Sequence, residues 1–287
     1  MSTLLRCQWC QQVLPLEALT CTACGAATDV RQRVTSSGWV ELPAIRDMAR
    51  LQFGRSFCQI EGTYVPVADF ALDASDWVYF NHHVVLWKDP EVVMTTTSWS
   101  GGWKRLLAGL PIFMAEARGP GHIAFSMDAP GETIALPLHV GHEVQVREGV
   151  FMAATGQVHY DYLNTNFFYR TEEGLHYPCG NFMDRFVAPE EPGLLLLHGA
   201  GNVFVRELAP KEFILVKPTA LLFKDARVAM TLYIEHPRNY NRVWRRRYVW
   251  LKLTGPGRVA IQSAYPHWED PDAPVTRCSD GAQIIDW

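Results

Sequence analysis

From residue 54 onward the apolar positions group into short runs that lack helical spacing and are bounded by glycine and proline, a pattern that predicts strands. Trp77 to Phe80, Val84 to Trp87, Val144 to Phe151 and Phe213 to Phe223 are such runs. Three more, Ile112 to Ala115, Leu194 to Leu197 and Val249 to Leu253, lie just upstream of a recurring string. Its copies are Gly119-Pro-Gly-His-Ile-Ala-Phe-Ser-Met-Asp-Ala-Pro130, Gly199-Ala-Gly-Asn-Val-Phe-Val-Arg-Glu-Leu-Ala-Pro210 and Gly255-Pro-Gly-Arg-Val-Ala-Ile-Gln-Ser-Ala-Tyr-Pro266. In the first copy Ile123, Phe125 and Met127 alternate with Ala124, Ser126 and Asp128, and the third alternates through Val259 and Ile261, as half-buried strands do. Pro120 and Pro256 preset φ for a type II turn, in which Gly121 and Gly257 take the positive φ required next. The expectation is strand, turn, strand, three times over, in a mostly antiparallel β architecture.

Helical spacing is confined to two places. Trp103, Leu106, Leu107 and Leu110 follow Gly101 and Gly102 at i, i+3, i+4, i+7 and end near Pro111. Pro43, followed by Ile45, Met48 and Ala49, predicts a short helix after a polar linker that contains Thr35, Ser36, Ser37 and Gly38. The chain therefore divides into residues 1–28, a linker with a short helix at 29–53, a β-rich repeat domain at 54–266 and a C-terminal tail at 267–287.

The first segment carries the clearest chemistry. Cys7 and Cys10 form one C-x-x-C pair, and Cys21 and Cys24 form a second. Two such knuckles converge four thiolates on one ion and close a tetrahedral shell with no position left for water, so they predict a structural zinc ribbon. Two disulfides or redox pairs are the other reading, disfavoured because cytosolic thiols stay reduced. Cys58, Cys179 and Cys278 are scattered and read as buried thiols.

Length and charge narrow the field further. The 287 residues suffice for one large β domain plus a small module, and 48% hydrophobic with 20% charged residues is ordinary globular composition. The net charge of −4 offers no overall attraction to nucleic acid or an anionic membrane. No apolar stretch reaches the roughly 20 residues of a spanning helix, and no signal peptide precedes Cys7, so a cytoplasmic location is expected.

With these motifs in view, Gly101-Gly-Trp-Lys-Arg-Leu-Leu-Ala-Gly109, Gly119-Pro-Gly121 and Leu251-Lys-Leu-Thr-Gly-Pro-Gly-Arg-Val259 resemble the altered-inheritance-of-mitochondria type 24 family over residues 54 to 265. The resemblance implies a β-rich fold like that of the tryptophan RNA-binding attenuation protein, in the double-stranded β-helix class, with segments repeated about an approximate threefold. It implies no reaction and no catalytic residues. Mitochondrial members of the family are associated with membrane organisation.

Other candidate chemistry is weak. The glycine strings are followed by strands, which excludes a Rossmann or phosphate loop, and no G-x-S-x-G, H-E-x-x-H or P-loop string occurs. His82, His83, His139, His142 and His159 are possible imidazole ligands, but a strand over 139–142 would point His139 and His142 to opposite faces. Asp69, Asp73 and Asp76 read as a solvated turn rather than an acid-base or calcium group. Arg242, Trp244, Arg245, Arg247 and Tyr248 mix guanidinium and aromatic groups, and with an acidic overall balance they suggest a protein surface rather than RNA. The expectation is a non-catalytic, homo-oligomeric β scaffold binding a protein or membrane-associated partner, with no membrane span. The alternative is a metal-dependent enzyme of the double-stranded β-helix class.

Overall fold

The computed structural model describes residues 5–6, 12–14, 22–23, 37–41, 50–62, 64–98, 113–236, 247–266 and 275–286. The helices expected at 43–49 and 103–110 lie outside the described residues. What is described is built mainly of antiparallel strands, as the period-2 pattern predicts.

Eighteen strands fall into three successive sets of six. The first set is β1 (Val67–Leu72), β2 (Trp77–Phe80), β3 (Val85–Lys88), β4 (Val93–Ser98), β5 (Phe113–Arg118) and β6 (Gly121–Phe125). The second is β7 (Gly131–Leu138), β8 (Glu143–Arg147), β9 (Phe151–Thr155), β10 (His159–Asn164), β11 (Phe182–Val187) and β12 (Gly193–Ala200). The third is β13 (Val203–Leu208), β14 (Phe213–Val216), β15 (Leu221–Asp225), β16 (Ala229–His236), β17 (Tyr248–Thr254) and β18 (Gly257–Gln262).

Every set pairs its strands in the same way. The first strand pairs with the sixth, as β1–β6, β7–β12 and β13–β18. The third strand lies on the other side of the sixth, and each of those three pairings carries a bulge, at Leu86, Met152 and Leu222. The second strand pairs with the fifth and the fifth with the fourth. Each set is thus two three-stranded layers, and its apolar core lies between them. In the first set, Phe70, Ile123 and Phe125 of one layer share a cluster with Val78, Phe80 and Ala117 of the other. In the third set, Leu208 and Val259 meet Leu232, Leu251 and Leu253.

Sets are joined by sheets that run from one into the next. The second strand of one set pairs with the third strand of the following set, as β2–β9 and β8–β15. Sheet order is therefore β7-β12-β9-β2-β5-β4 at the first junction and β10-β11-β8-β15-β18-β13 at the second. A joining strand is buried on both faces: Met152 and Ala153 of β9 pack in the first core, while Phe151 and Ala154 pack in the second. Leu222 and Phe223 of β15 likewise reach into the second core.

The glycine strings differ from the expected strand, turn, strand in three respects. The peptides Gly119–Pro120 and Gly255–Pro256 are cis, so the turns are not type II, although Gly121 and Gly257 do take positive φ of 128° and 135°. The strands on either side also do not form a hairpin: the chain crosses from the fifth strand in one layer to the sixth in the other. The second copy does not match the string at Gly199: the structural counterpart of Gly121 and Gly257, opening the sixth strand, is Gly193. A Cβ on any of these three would press on the valine immediately preceding the fourth strand of its set, Val92 at 3.0 Å, Val158 at 2.6 Å or Val228 at 3.0 Å. Gly199-Ala-Gly201 instead ends β12 and leads into β13, from one set to the next.

The sheets also extend beyond residues 54–266. Val40–Glu41, within the expected linker, pairs with β13, and Arg50–Phe53 pairs with Ser56–Glu61, which borders β1. At the other end Arg277–Cys278 pairs with Tyr169–Thr171, and Gln283–Asp286 runs parallel along β16. The expected C-terminal tail is, in its described part, sheet. Near the N-terminus Leu5–Arg6 pairs antiparallel with Val13–Leu14.

Candidate functional site

Cys7, Cys10, Cys21 and Cys24 lie outside the described residues, as do Arg242, Trp244 and Arg245. Arg247 is buried, 6% exposed, with its guanidinium 5.5 Å from the centre of the Tyr169 ring. It therefore packs inward. Tyr248 is exposed and stacks on Trp250 at 6.0 Å, and Trp250 Nε1 donates to Glu235 Oε2 at 3.1 Å.

The remaining candidates disperse. Residues 139–142 form a turn, not a strand, in which His142 N–H donates to the His139 carbonyl at 2.9 Å. His82 and His83 have ring centres 5.6 Å apart. Among the described residues, no three His, Cys, Asp or Glu side chains gather as metal ligands. The three aspartates have separate tasks. Asp69 meets His122 Nδ1 at 3.0 Å, Asp73 accepts from Ser75 N–H and hydroxyl, and Asp76 accepts from the Arg55 N–H at 2.9 Å and the Ser56 hydroxyl at 2.6 Å. A cleft of about 390 Å³ between Phe53, Pro137 and Leu194 has only His139 and Glu191 as titratable lining groups, both exposed.

Polar side chains do converge at the junction of the second and third sets. Asp225, the last residue of β15, is buried beside Arg258 of β18 and His142 in front of β8. Its Oδ2 accepts from the Arg258 backbone N–H at 2.9 Å and Nε at 3.3 Å, and Oδ1 lies 3.1 Å from Arg258 Nη2 and 3.2 Å from His142 Nε2. Burial alone would push the Asp225 carboxyl up, but the hydrogen bonds and charge of Arg258 outweigh it and hold it below its ordinary value. Both oxygens are occupied and the group stays ionised, which suits a structural anion and not a general base.

Beside it, Lys224 donates from Nζ to the Val228 carbonyl at 2.8 Å, and burial pushes its ammonium down to about 8 against the pull of Glu143 and Asp225. In the unfolded chain a lysine titrates near 10.4, so between about pH 8 and pH 10 the unfolded state holds the extra proton. The contribution of Lys224 to stability therefore rises with pH across that window, against the opposite trend of the Cys58 and Cys179 thiols, whose pKa values burial pushes up. In denaturant melts at stepped pH the wild type should gain stability relative to Lys224→Met as pH rises. Arg185 Nη2 completes the junction by donating to Glu143 Oε2 at 2.7 Å.

A second feature is an apolar edge that pattern reading did not single out. Among the described residues, β3 pairs only with β6, and β14 only with β17. Leu86 and Trp87 of β3 are 57% and 44% exposed, and Phe213 of β14 is 54% exposed. The corresponding strands β9 and β15 are buried at all five positions. A signal was present, since Leu86-Trp-Lys-Asp89 repeats as Leu222-Phe-Lys-Asp225.

These features define a triplicated β-sandwich protein whose repeats share sheets. The family model described as mitochondrial biogenesis AIM24 matches residues 58–264, and the chain belongs to this family. The crystal structure of protein SPYM3_0169 from Streptococcus pyogenes is similar in fold, at 18% identity and a TM-score of 0.56 over 74% of this chain and 94% of that one. Among curated proteins, none matches the chain. No helix among the described residues is long and apolar enough to cross a membrane.

Proposed function

We propose that the protein is a non-catalytic scaffold that self-associates and presents its β surface to a protein or membrane-associated partner. The observation that carries this reading is the exposed Leu86–Trp87 edge, an apolar surface of the kind that partners cover. The polar groups that converge, around Asp225, engage one another rather than facing an open cavity. The threefold repetition supports placing each set in the double-stranded β-helix class, with likeness to the attenuation protein. Light scattering of the purified chain should give a multiple of 32.5 kDa, and a monomer across micromolar concentrations would count against the reading.

The four clustered cysteines are read as an accessory zinc ribbon, supported by their spacing and by the Leu5–Arg6 and Val13–Leu14 pairing that brackets the first knuckle. A segment this short has too little apolar burial to fold without metal. Metal analysis should give one zinc per chain, absent from the Cys21→Ser, Cys24→Ser variant, while the main thermal transition persists. Metal retained by that variant would favour an enzyme using histidine ligands.

A further inference from the structure

We propose that β3 of one copy pairs antiparallel with β14 of a second copy, continuing between molecules the second-to-third-strand pairing that joins the sets within one chain. This rests on the reading of self-association and names the surface that produces it. Among the described residues the chain contains two such joints, β2–β9 and β8–β15, and one unmade pair of the same kind. The second strand of the third set, β14, and the third strand of the first set, β3, are left as edges.

The register follows from the two joints already made. At β2–β9 the partners are Val78 with Thr155, Tyr79 with Ala154 and Phe80 with Ala153. At β8–β15 they are Val144 with Asp225, Gln145 with Lys224 and Val146 with Phe223. The equivalent positions give Ile214 with Asp89, Leu215 with Lys88 and Val216 with Trp87. An aromatic residue again faces a valine, as Phe223 faces Val146.

Burial argues for the same occupant. Counterparts of Leu86 and Trp87 are Met152 and Ala153 in one joint and Leu222 and Phe223 in the other, and each pair packs into the core of the preceding set. Among the described residues, no set precedes the one that holds Leu86 and Trp87. The third set of a second copy supplies one, with β14 at its open edge. Such a contact joins different surfaces of the two molecules, so it propagates head to tail until a ring closes or a filament grows.

The test uses two full-length variants that each block one edge. Trp87→Asp puts a charge on β3, and Phe213→Lys with Leu215→Arg sets cations against Lys88 of the incoming copy. Leu86→Asp, and Leu215→Arg alone, serve as a second pair should either first variant lose its β circular dichroism. In analytical ultracentrifugation the wild type is expected to be a multiple of the chain mass and each variant a monomer. Mixing the two blocked variants should restore a dimer and nothing larger, because one intact β3 and one intact β14 remain. Variants that stay oligomeric, or a mixture that stays monomeric while the wild type assembles, would overturn this interface and leave self-association standing. A monomeric wild type would remove both.

Discussion

Asp225→Ala is expected to lower the folding free energy by about 3 kcal/mol, the low end of what removal of one partner from a buried ion pair costs. The low end applies because the Arg258 side chain is about one-third exposed and partly served by water. Asp225 meets a backbone N–H, a guanidinium and an imidazole, and alanine removes the carboxylate from all three, leaving the Arg258 Nη2 and His142 Nε2 contact of 3.1 Å. Asp225→Asn keeps an acceptor for the Arg258 N–H and should lose less. Thr155 gives an internal comparison, since its hydroxyl accepts the equivalent N–H, that of Leu194, at 3.0 Å without a charge. Thr155→Val should cost only about 1 kcal/mol, the worth of one neutral hydrogen bond. The contribution of Asp225 depends on pH with a definite sign. Because its folded pKa lies below the unfolded value of about 3.9, the stabilisation is full above roughly pH 4 and fades as pH falls through the folded pKa. Urea melts of the wild type and Asp225→Ala should therefore converge in acid. Curves that stay parallel as pH falls through the acid range would show that the carboxylate is not the source.

Phe151→Ala is expected to cost about 3–5 kcal/mol, the range for emptying a buried aromatic site. Phe151 is 1% exposed, and its ring centre lies 4.9 Å from that of Phe186, 5.6 Å from Tyr79 and 6.2 Å from Tyr160. Tyr79 belongs to the first set and the other two to the second, so the cavity would open at a joint between sets. Neighbouring strands are anchored on both sides and can collapse little into the space, which favours the upper part of the range. By contrast, Tyr248→Ala on the surface should change stability by no more than about 0.5 kcal/mol. A loss near that value for Phe151→Ala would mean that the joint is not packed as described.

Much of the β architecture was legible because strands announce themselves locally. Trp77 to Phe80 is β2 residue for residue, and the two Gly-Pro-Gly strings do mark the crossing from fifth to sixth strand. The second copy is not where the glycine spacing puts it, because that spacing is an imperfect guide to the repeat. At Gly193 the preceding residues are Glu191 and Pro192, and the acceptor Thr155 replaces the aspartates Asp89 and Asp225. What is preserved there is a backbone hydrogen bond and a close approach, neither of which has a fixed residue type. Longer runs misled in another way: Val144 to Phe151 contains a turn at 148–150, and Phe213 to Phe223 contains the Pro218–Ala220 turn of 3₁₀ helix. The junction around Asp225 was illegible because His142, Asp225 and Arg258 are far apart along the chain. Only the pairing of β8 with β15, and of β15 with β18, brings them together.

The nesting of first strand with sixth has a consequence for synthesis on the ribosome. Leu72 pairs with Gly121, so β1 emerges long before its partner exists, and the delay recurs in the second and third sets. At roughly 5–20 residues per second that is a wait of several seconds, during which an apolar strand stands open to wrong partners. Such non-local pairing also slows folding once the chain is complete. The nascent chain should therefore lean on chaperones one repeat at a time, and synonymous changes that slow translation within a set, rather than between sets, should do the greater harm to yield.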